Sequence, residues 1–191
     1  MMHFADAAAW EEWLAAHHHD ADAVWLRIAR KGAPVTTVTI TEALDVALCH
    51  GWIDGRRKAL DEHFFLQRYS RRRKGSRWSR VNVEKAEKLI AAGRMRPPGM
   101  AEVDAARADG RWDAAYGPQR DAAVPPDLAA ALAAEPEAAG RFETLGKTAR
   151  YLLMLPVMTA RTPAGRASAI RRVLDRLRQD AAVETRSTRS G

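Results

Sequence analysis

Apolar residues in this chain recur at helical spacing, then alternate, then return to helical spacing to the end. Residues 6–17 put Ala9, Trp10, Trp13 and Leu14 on one side, predicting an amphipathic helix with Asp6 as its N-cap. The stretch Val24-Trp25-Leu26-Arg27-Ile28-Ala29-Arg30 alternates as a strand, and Lys31-Gly32-Ala33-Pro34 breaks it. A helix over 42–50, capped by Thr41, spaces Ala43, Val46, Ala47 and His50 for burial, and Gly51 stops it. Strands over 52–58 and 63–69 flank the short Ala59-Leu60-Asp61-Glu62 connection, which predicts an antiparallel hairpin. In the second strand Phe64, Leu66 and Arg68 share one face, and Phe65, Gln67 and Tyr69 the other. Both faces carry aromatic or apolar groups, so one of them packs beneath a helix.

Helical spacing returns at Asn82 with Val83, Ala86, Leu89 and Ile90, and ends at Gly93. Pro97-Pro98-Gly99 opens a further helix through about residue 109, closed by Gly110. Composition shifts over 111–126, from Arg111-Trp112-Asp113 to Pro125-Pro126. Beyond it, 127–134, 137–145, 147–160 and 163–179 all read as helices, with Pro136 and Pro163 in first turns where a missing N–H costs little. The fold class expected is α+β. A small antiparallel sheet with helices over 1–112 is followed by a linker at 113–126, an all-helical module at 127–180, and a disordered tail at 181–191.

Charge sharpens this picture. Between positions 56 and 80 there are ten Lys/Arg against two Asp/Glu, whereas the whole chain carries only +7. The excess is concentrated among aromatic side chains, a combination suited to a flat anion or a phosphate-bearing polymer. A single cysteine excludes an intramolecular disulfide framework. The N-terminus lacks a basic region followed by an apolar one, and no apolar run reaches the length of a membrane span, so a cytoplasmic protein without a membrane span is expected.

Candidate chemistry gathers in the same stretch. Arg68, Arg71 and Arg72 can neutralise an anion, Trp52 or Trp78 can stack on it, and Asp54 can orient an arginine through a bidentate pair. Ser79 or Asn82 can cap the helix from 82, whose N-terminus, with Arg71, Arg72 and Arg77 before it, would cradle a phosphate or carboxylate. The anion-binding set is therefore Trp52, Asp54, Arg68, Arg71, Arg72, Arg77, Trp78 and Ser79. Each also has a plainer role: core packing for the tryptophans, a turn or bulge carboxylate for Asp54, a cap for Ser79 and a solvated basic loop for Arg71–Lys74.

Other signals are weaker. Cys49-His50 cannot form a catalytic dyad, because adjacent helical residues point about 100° apart, and Cys49 reads as a small core residue. His17-His18-His19 reads as a surface cluster, since zinc needs ligands from converging elements; no metal or cofactor is expected. The helix over 163–179 carries Arg166, Arg171, Arg172, Arg176 and Arg178 opposite an apolar stripe of Ile170, Val173, Leu174 and Leu177. No Walker loop, GxSxG, HExxH or GxGxxG occurs.

The words Gly51-Trp52-Ile53-Asp54-Gly55, Tyr69-Ser70-Arg71-Arg72-Arg73-Lys74-Gly75-Ser76-Arg77-Trp78-Ser79 and Glu87-Lys88-Leu89-Ile90-Ala91-Ala92-Gly93-Arg94-Met95 resemble the YdeI/OmpD-associated family, also described as bacteriocin-protection proteins. The resemblance runs over most of residues 1–180 and continues through Arg111-Trp112-Asp113, Pro126-Asp127-Leu128, Phe142, Arg150-Tyr151 and Arg171-Arg172. It implies protection against bacteriocins or antimicrobial peptides and a helical module over 127–180. The leading expectation is a stress- or antimicrobial-resistance protein that binds an anionic small molecule or nucleic acid. Two rivals stand beside it. One is an enzyme acting on a phosphate- or carboxylate-bearing small molecule, with Asp54 as base and the arginines as clamp. The other is a scaffold that docks a protein partner through the C-terminal helices.

Overall fold

The structure, a computed structural model, describes the backbone of residues 1–187 and the side chains of residues 1–179. By its internal contacts the chain divides into two compact units, Met1–Ser76 with Val81–Trp112, and Arg77–Arg80 with Asp113–Gly191.

The first unit is α+β. Helix α1 (Ala7–His17) starts where Asp6 accepts from the Ala9 N–H at 2.9 Å. Helix α2 (Ile40–Cys49) starts earlier than the expected Thr41 cap. Thr39 caps it instead: its hydroxyl accepts from the Glu42 N–H, and the Glu42 carboxylate accepts back from the Thr39 N–H. This capping box satisfies two end donors at once, where Thr41 would satisfy one. Helix α3 spans Arg80–Ala91 and α4 Pro97–Ala108.

Three antiparallel strands, β1 (Ala23–Ala29), β2 (Trp52–Ala59) and β3 (Phe64–Arg71), form a sheet in the order β1-β3-β2. The hairpin expectation holds for β2 and β3. The sequence gives no sign that β1 returns to the far side of β3, which makes β3 the central strand. Met2 brackets the outer edge of β1, donating to Trp25 O and accepting from Arg27 N. That covers backbone groups an edge strand would otherwise expose.

One face of the sheet is the core. Val24, Leu26 and Ile28 of β1 pair with Tyr69, Gln67 and Phe65 of β3, all six buried. Against them lie Trp10 and Leu14 of α1, Ala43, Val46 and Ala47 of α2, and Trp52. Trp10 stacks on Trp13 with ring centres 5.4 Å apart and meets Trp52 edge-on at 6.4 Å. Its indole N–H donates to Ala43 O at 3.1 Å, so the largest core side chain also satisfies its polar atom.

The buried Gln67 is the polar exception, and the sheet explains it. Asp54 pairs with Tyr69 but Arg57 pairs with Gln67, so three steps on β2 oppose two on β3. This β-bulge displaces carbonyls from the ladder. The Gln67 amide donates to Gly55 O at 2.9 Å and to Arg56 O at 3.4 Å, and its oxygen accepts from Arg57 Nε at 3.1 Å.

Helix α4 closes the unit by a close approach. At Gly99 an added Cβ would collide with the Cys49 and Leu48 carbonyls of α2. Cys49 itself is buried, and burial pushes its thiol up to about 11.

The second unit is helical: α5 (Pro126–Ala133), α6 (Pro136–Thr144), α7 (Lys147–Met158) and α8 (Pro163–Ser187). Leu128, Phe142, Met154, Val157, Val173 and Leu177 fill its core. The α8 stripe therefore packs as its periodicity predicts, and part of its basic face is paired. Arg166 bonds Asp127 through two nitrogens, at 2.5 and 2.8 Å, and Arg178 bonds Glu135 at 2.9 and 2.6 Å. The backbone of α8 continues past the expected end at 179 to Ser187; of the tail expected at 181–191, residues 188–191 lie outside the described residues. No helix among the described residues is long and apolar enough to cross a membrane.

Two outcomes test this packing. Gly99→Ala should lower the unfolding free energy by about 1–3 kcal/mol in urea titration, the usual cost of overpacking a tight contact. At pH 8 a thiol reagent should label native Cys49 at least about a hundredfold more slowly than the unfolded chain, because its thiolate is scarce and shielded. Labelling within the mixing time would contradict that burial.

Candidate anion-binding site

Because side chains alternate along a strand, burying Phe65, Gln67 and Tyr69 turns Phe64, Leu66, Arg68 and Ser70 to the opposite face of the sheet. Pairing extends that face to Trp25 opposite Arg68, Arg27 and Lys58 opposite Leu66, and Ile53 opposite Ser70. It is a face of aromatic rings covered by cations. The Arg27 guanidinium lies 4.5 Å from the centre of Phe64, and the Lys58 ammonium lies 4.9 Å from Trp25.

At the end where β3 runs into the arginine cluster, this face opens into a hollow of about 400 Å³. Arg68, Arg71, Arg72 and Arg73 line it, with Ser70 and Ser76 as hydroxyl donors and Asp22 as its one carboxylate. Strand geometry brings them there. At the end of β3 the Arg71 N–H donates to Asp22 O at 3.2 Å, and just beyond it the Arg72 N–H donates to Gly51 O at 3.0 Å, so the backbone stays paired on both sides. The chain then turns, with the Ser76 hydroxyl accepting from Arg73 N–H at 3.0 Å. Gly75, with φ of 77°, takes the left-handed conformation this turn requires.

The arginines differ in their commitments. Arg71 donates to Asp22 at 2.7 Å and to His19 O at 3.0 Å, which fixes its guanidinium at the rim. Arg72 is buried, Arg68 is half-buried and Arg73 is exposed. Four arginines and one carboxylate line the hollow, an excess of positive charge that favours an anion, and the charge of Arg72 also reaches the Asp54 carboxyl outside the lining.

The other expected residues lie elsewhere. Trp52 is fully buried beside Trp10, and its N–H donates to His18 O, so its ring has no face to offer a ligand. Asp54 pairs with Tyr69, which puts it on the opposite side of the sheet from Arg68. It therefore cannot orient Arg68. Crowding by protein raises the pKa of its carboxyl although the residue keeps an exposed surface, with the charges of Arg72 and Arg57 opposing the rise.

Arg77, Trp78 and Ser79 group with the second unit. Trp78 is buried, and the segment is held by Tyr116, which donates to Trp78 O at 3.1 Å and accepts from Arg80 N–H at 2.8 Å. One of the first N–H groups of α3 is thus already used, which weakens the expected cradle at that helix start. The site residues that sequence reasoning missed are Asp22, Ile53, Ser70, Arg73 and Ser76. The period-two alternation of β3 points to Ser70, since it shares a face with Arg68. Asp22 comes from a loop some fifty positions away in sequence, and nothing local marks it. Among the described residues no group of His, Cys, Asp and Glu is arranged to hold a metal ion.

Two family models match the chain. Residues 2–102 match a domain of unknown function (DUF8412), and residues 121–180 match the family described as Bacteriocin-protection, YdeI or OmpD-Associated. No curated protein and no solved structure matches. The arginine hollow and the Gly51–Gly55 word both fall within the first match, and Arg150-Tyr151 and Arg171-Arg172 within the second. With more than half of its length in the first match, the chain belongs to the DUF8412 family, and its residues 121–180 form a YdeI/OmpD-associated domain of the bacteriocin-protection type.

Proposed function

We propose that this chain is a cytoplasmic protein of bacteriocin protection or stress resistance that works by binding a phosphate-bearing ligand in the arginine hollow of its first unit. The observation that carries this reading is the convergence of Arg68, Arg71, Arg72 and Arg73 with two serines around one hollow. Guanidinium groups present paired N–H donors that match phosphate oxygens, and hydroxyls supply further donors. On the neighbouring face Arg27 lies over Phe64 and Lys58 over Trp25, which adds two cations to the same side of the sheet. The volume, about 400 Å³, suits a phosphate or diphosphate group with its attached sugar rather than a duplex.

Geometry favours binding over catalysis. An enzyme using Asp54 as base needs that carboxyl in the hollow with the arginines. Asp54 is not among the hollow's lining residues and lies across the sheet from Arg68, with only the charge of Arg72 reaching it. The family match at 121–180 supports the bacteriocin-protection part of the reading.

Calorimetric titration with inorganic pyrophosphate and with a ten-residue oligothymidylate tests this. Pyrophosphate should bind at 50 mM salt, and Arg73→Ala should weaken it roughly 10- to 100-fold, the loss expected when one charge-assisted hydrogen bond goes. Arg171→Ala in the second unit should change nothing. If the oligonucleotide is the better ligand, its affinity should fall steeply between 50 and 200 mM salt. Absence of binding by both probes at 50 mM salt sinks the reading.

A further inference from the structure

A second cavity, of about 600 Å³, lies in the first unit between α1, the C-terminal end of α2 and the start of α4. It is apart from the arginine hollow and shares no lining residue with it. Its volume falls in the usual range of small-molecule sites.

The walls follow from sequence. Ala8, Glu11, Glu12 and Ala15 recur at the spacing of one helical face, and the two alanines leave that face open. Opposite them, α4 begins with Pro97 and Pro98, which carry no N–H and present ring carbons. This wall is held in place: Arg96 N–H donates to Cys49 O at 3.1 Å, and Gly99 abuts the same carbonyl. Arg96 also reaches α1, donating to Glu11 from Nε at 3.0 Å and Nη2 at 2.6 Å. That ion pair ties the two walls together and spends both charges on each other.

His50 distinguishes the cavity from a mere groove. It lines the cavity, is only 5% exposed, and neither ring nitrogen has a hydrogen-bond partner among the described residues. Buried polar side chains are nearly always bonded, so two unpartnered nitrogens on one imidazole need an explanation. The adjacent His18 does not supply one. Its ring centre is 5.8 Å away, and its Nδ1 donates to Leu14 O at 3.0 Å. Burial lowers the His50 pKa, with the charges of His18 and Arg96 helping and Glu11 opposing. The ring is therefore neutral near pH 7, with one nitrogen a donor and the other an acceptor.

We infer that this cavity binds a small, mainly apolar organic molecule through a hydroxyl or carboxamide group that pairs with the His50 imidazole. Such groups both give and accept a hydrogen bond, which matches a neutral imidazole. An anion would lack the donor and would face Glu12 at the wall.

Phenol and toluene, equal in shape and differing in the hydroxyl, are the probes. Each is titrated into the full chain while histidine ring carbons are followed by NMR. Phenol should shift the His50 signals and saturate, binding about tenfold more tightly than toluene. His50→Phe, which keeps a ring and removes both nitrogens, should abolish that preference. Ala15→Trp, at an exposed position, should block both probes and leave thermal unfolding unchanged, so a decision remains if His50→Phe fails to fold. The inference is overturned if phenol and toluene bind wild type alike, if the preference survives His50→Phe, or if Ala15→Trp binds phenol as wild type does. Pyrophosphate binding should be the same in Ala15→Trp as in wild type, which separates this cavity from the arginine hollow.

Discussion

Everything in the first unit depends on β3 having two faces. Its odd-numbered residues Phe65, Gln67 and Tyr69 are held inside by Trp10, Trp52 and the α2 helix. Burying large aromatic side chains is among the strongest stabilising terms available to a small domain. A one-residue slip of β3 would expose that set and bury Arg68 and Ser70, so register is fixed by the core. The cationic face is thus a consequence of the packed one. Arg68 faces outward because Gln67 and Tyr69 face inward, whereas Arg71, on the parity of Tyr69 at the strand's end, is held at the rim by Asp22 and His19.

The bulge in β2 sets the second constraint. It lets Asp54 and Arg57 both face the helices while Ile53 and Lys58 face away. Gln67 makes this tolerable by bonding the displaced carbonyls of Gly55 and Arg56. A polar side chain buried in an otherwise apolar set thereby specifies where the bulge sits.

Much of this was legible in the chain. Helical spacing located the helices to within a few residues except at the end of α8, which runs past its expected stop at 179 to Ser187. The alternation of 64–69 assigned its two faces, and Asp6 was recognisable as a cap. What escaped has physical reasons. A bulge shifts parity without any local sign, so Asp54 could not be separated from Arg68 by counting. Trp52 and Trp78 looked alike in sequence as stacking candidates, yet long-range packing buries both. The segment 77–80 joins the second unit through Tyr116, a contact no local pattern announces. The cavity at His50 is assembled from three distant segments, and no local pattern signals that its imidazole lacks a partner among the described residues.

The central claim is that β3 directs a specific set of arginines into one anion-receiving hollow. Following the arginine side-chain Nε–H signals by NMR during pyrophosphate addition tests it most directly. The account predicts that Arg68, Arg71, Arg72 and Arg73 shift together and saturate at one equivalent, while Arg171 and Arg172 of α8 stay in place. Shifts distributed over the arginines of both units, without saturation, would contradict it and leave the chain's basic stretch as a solvated surface.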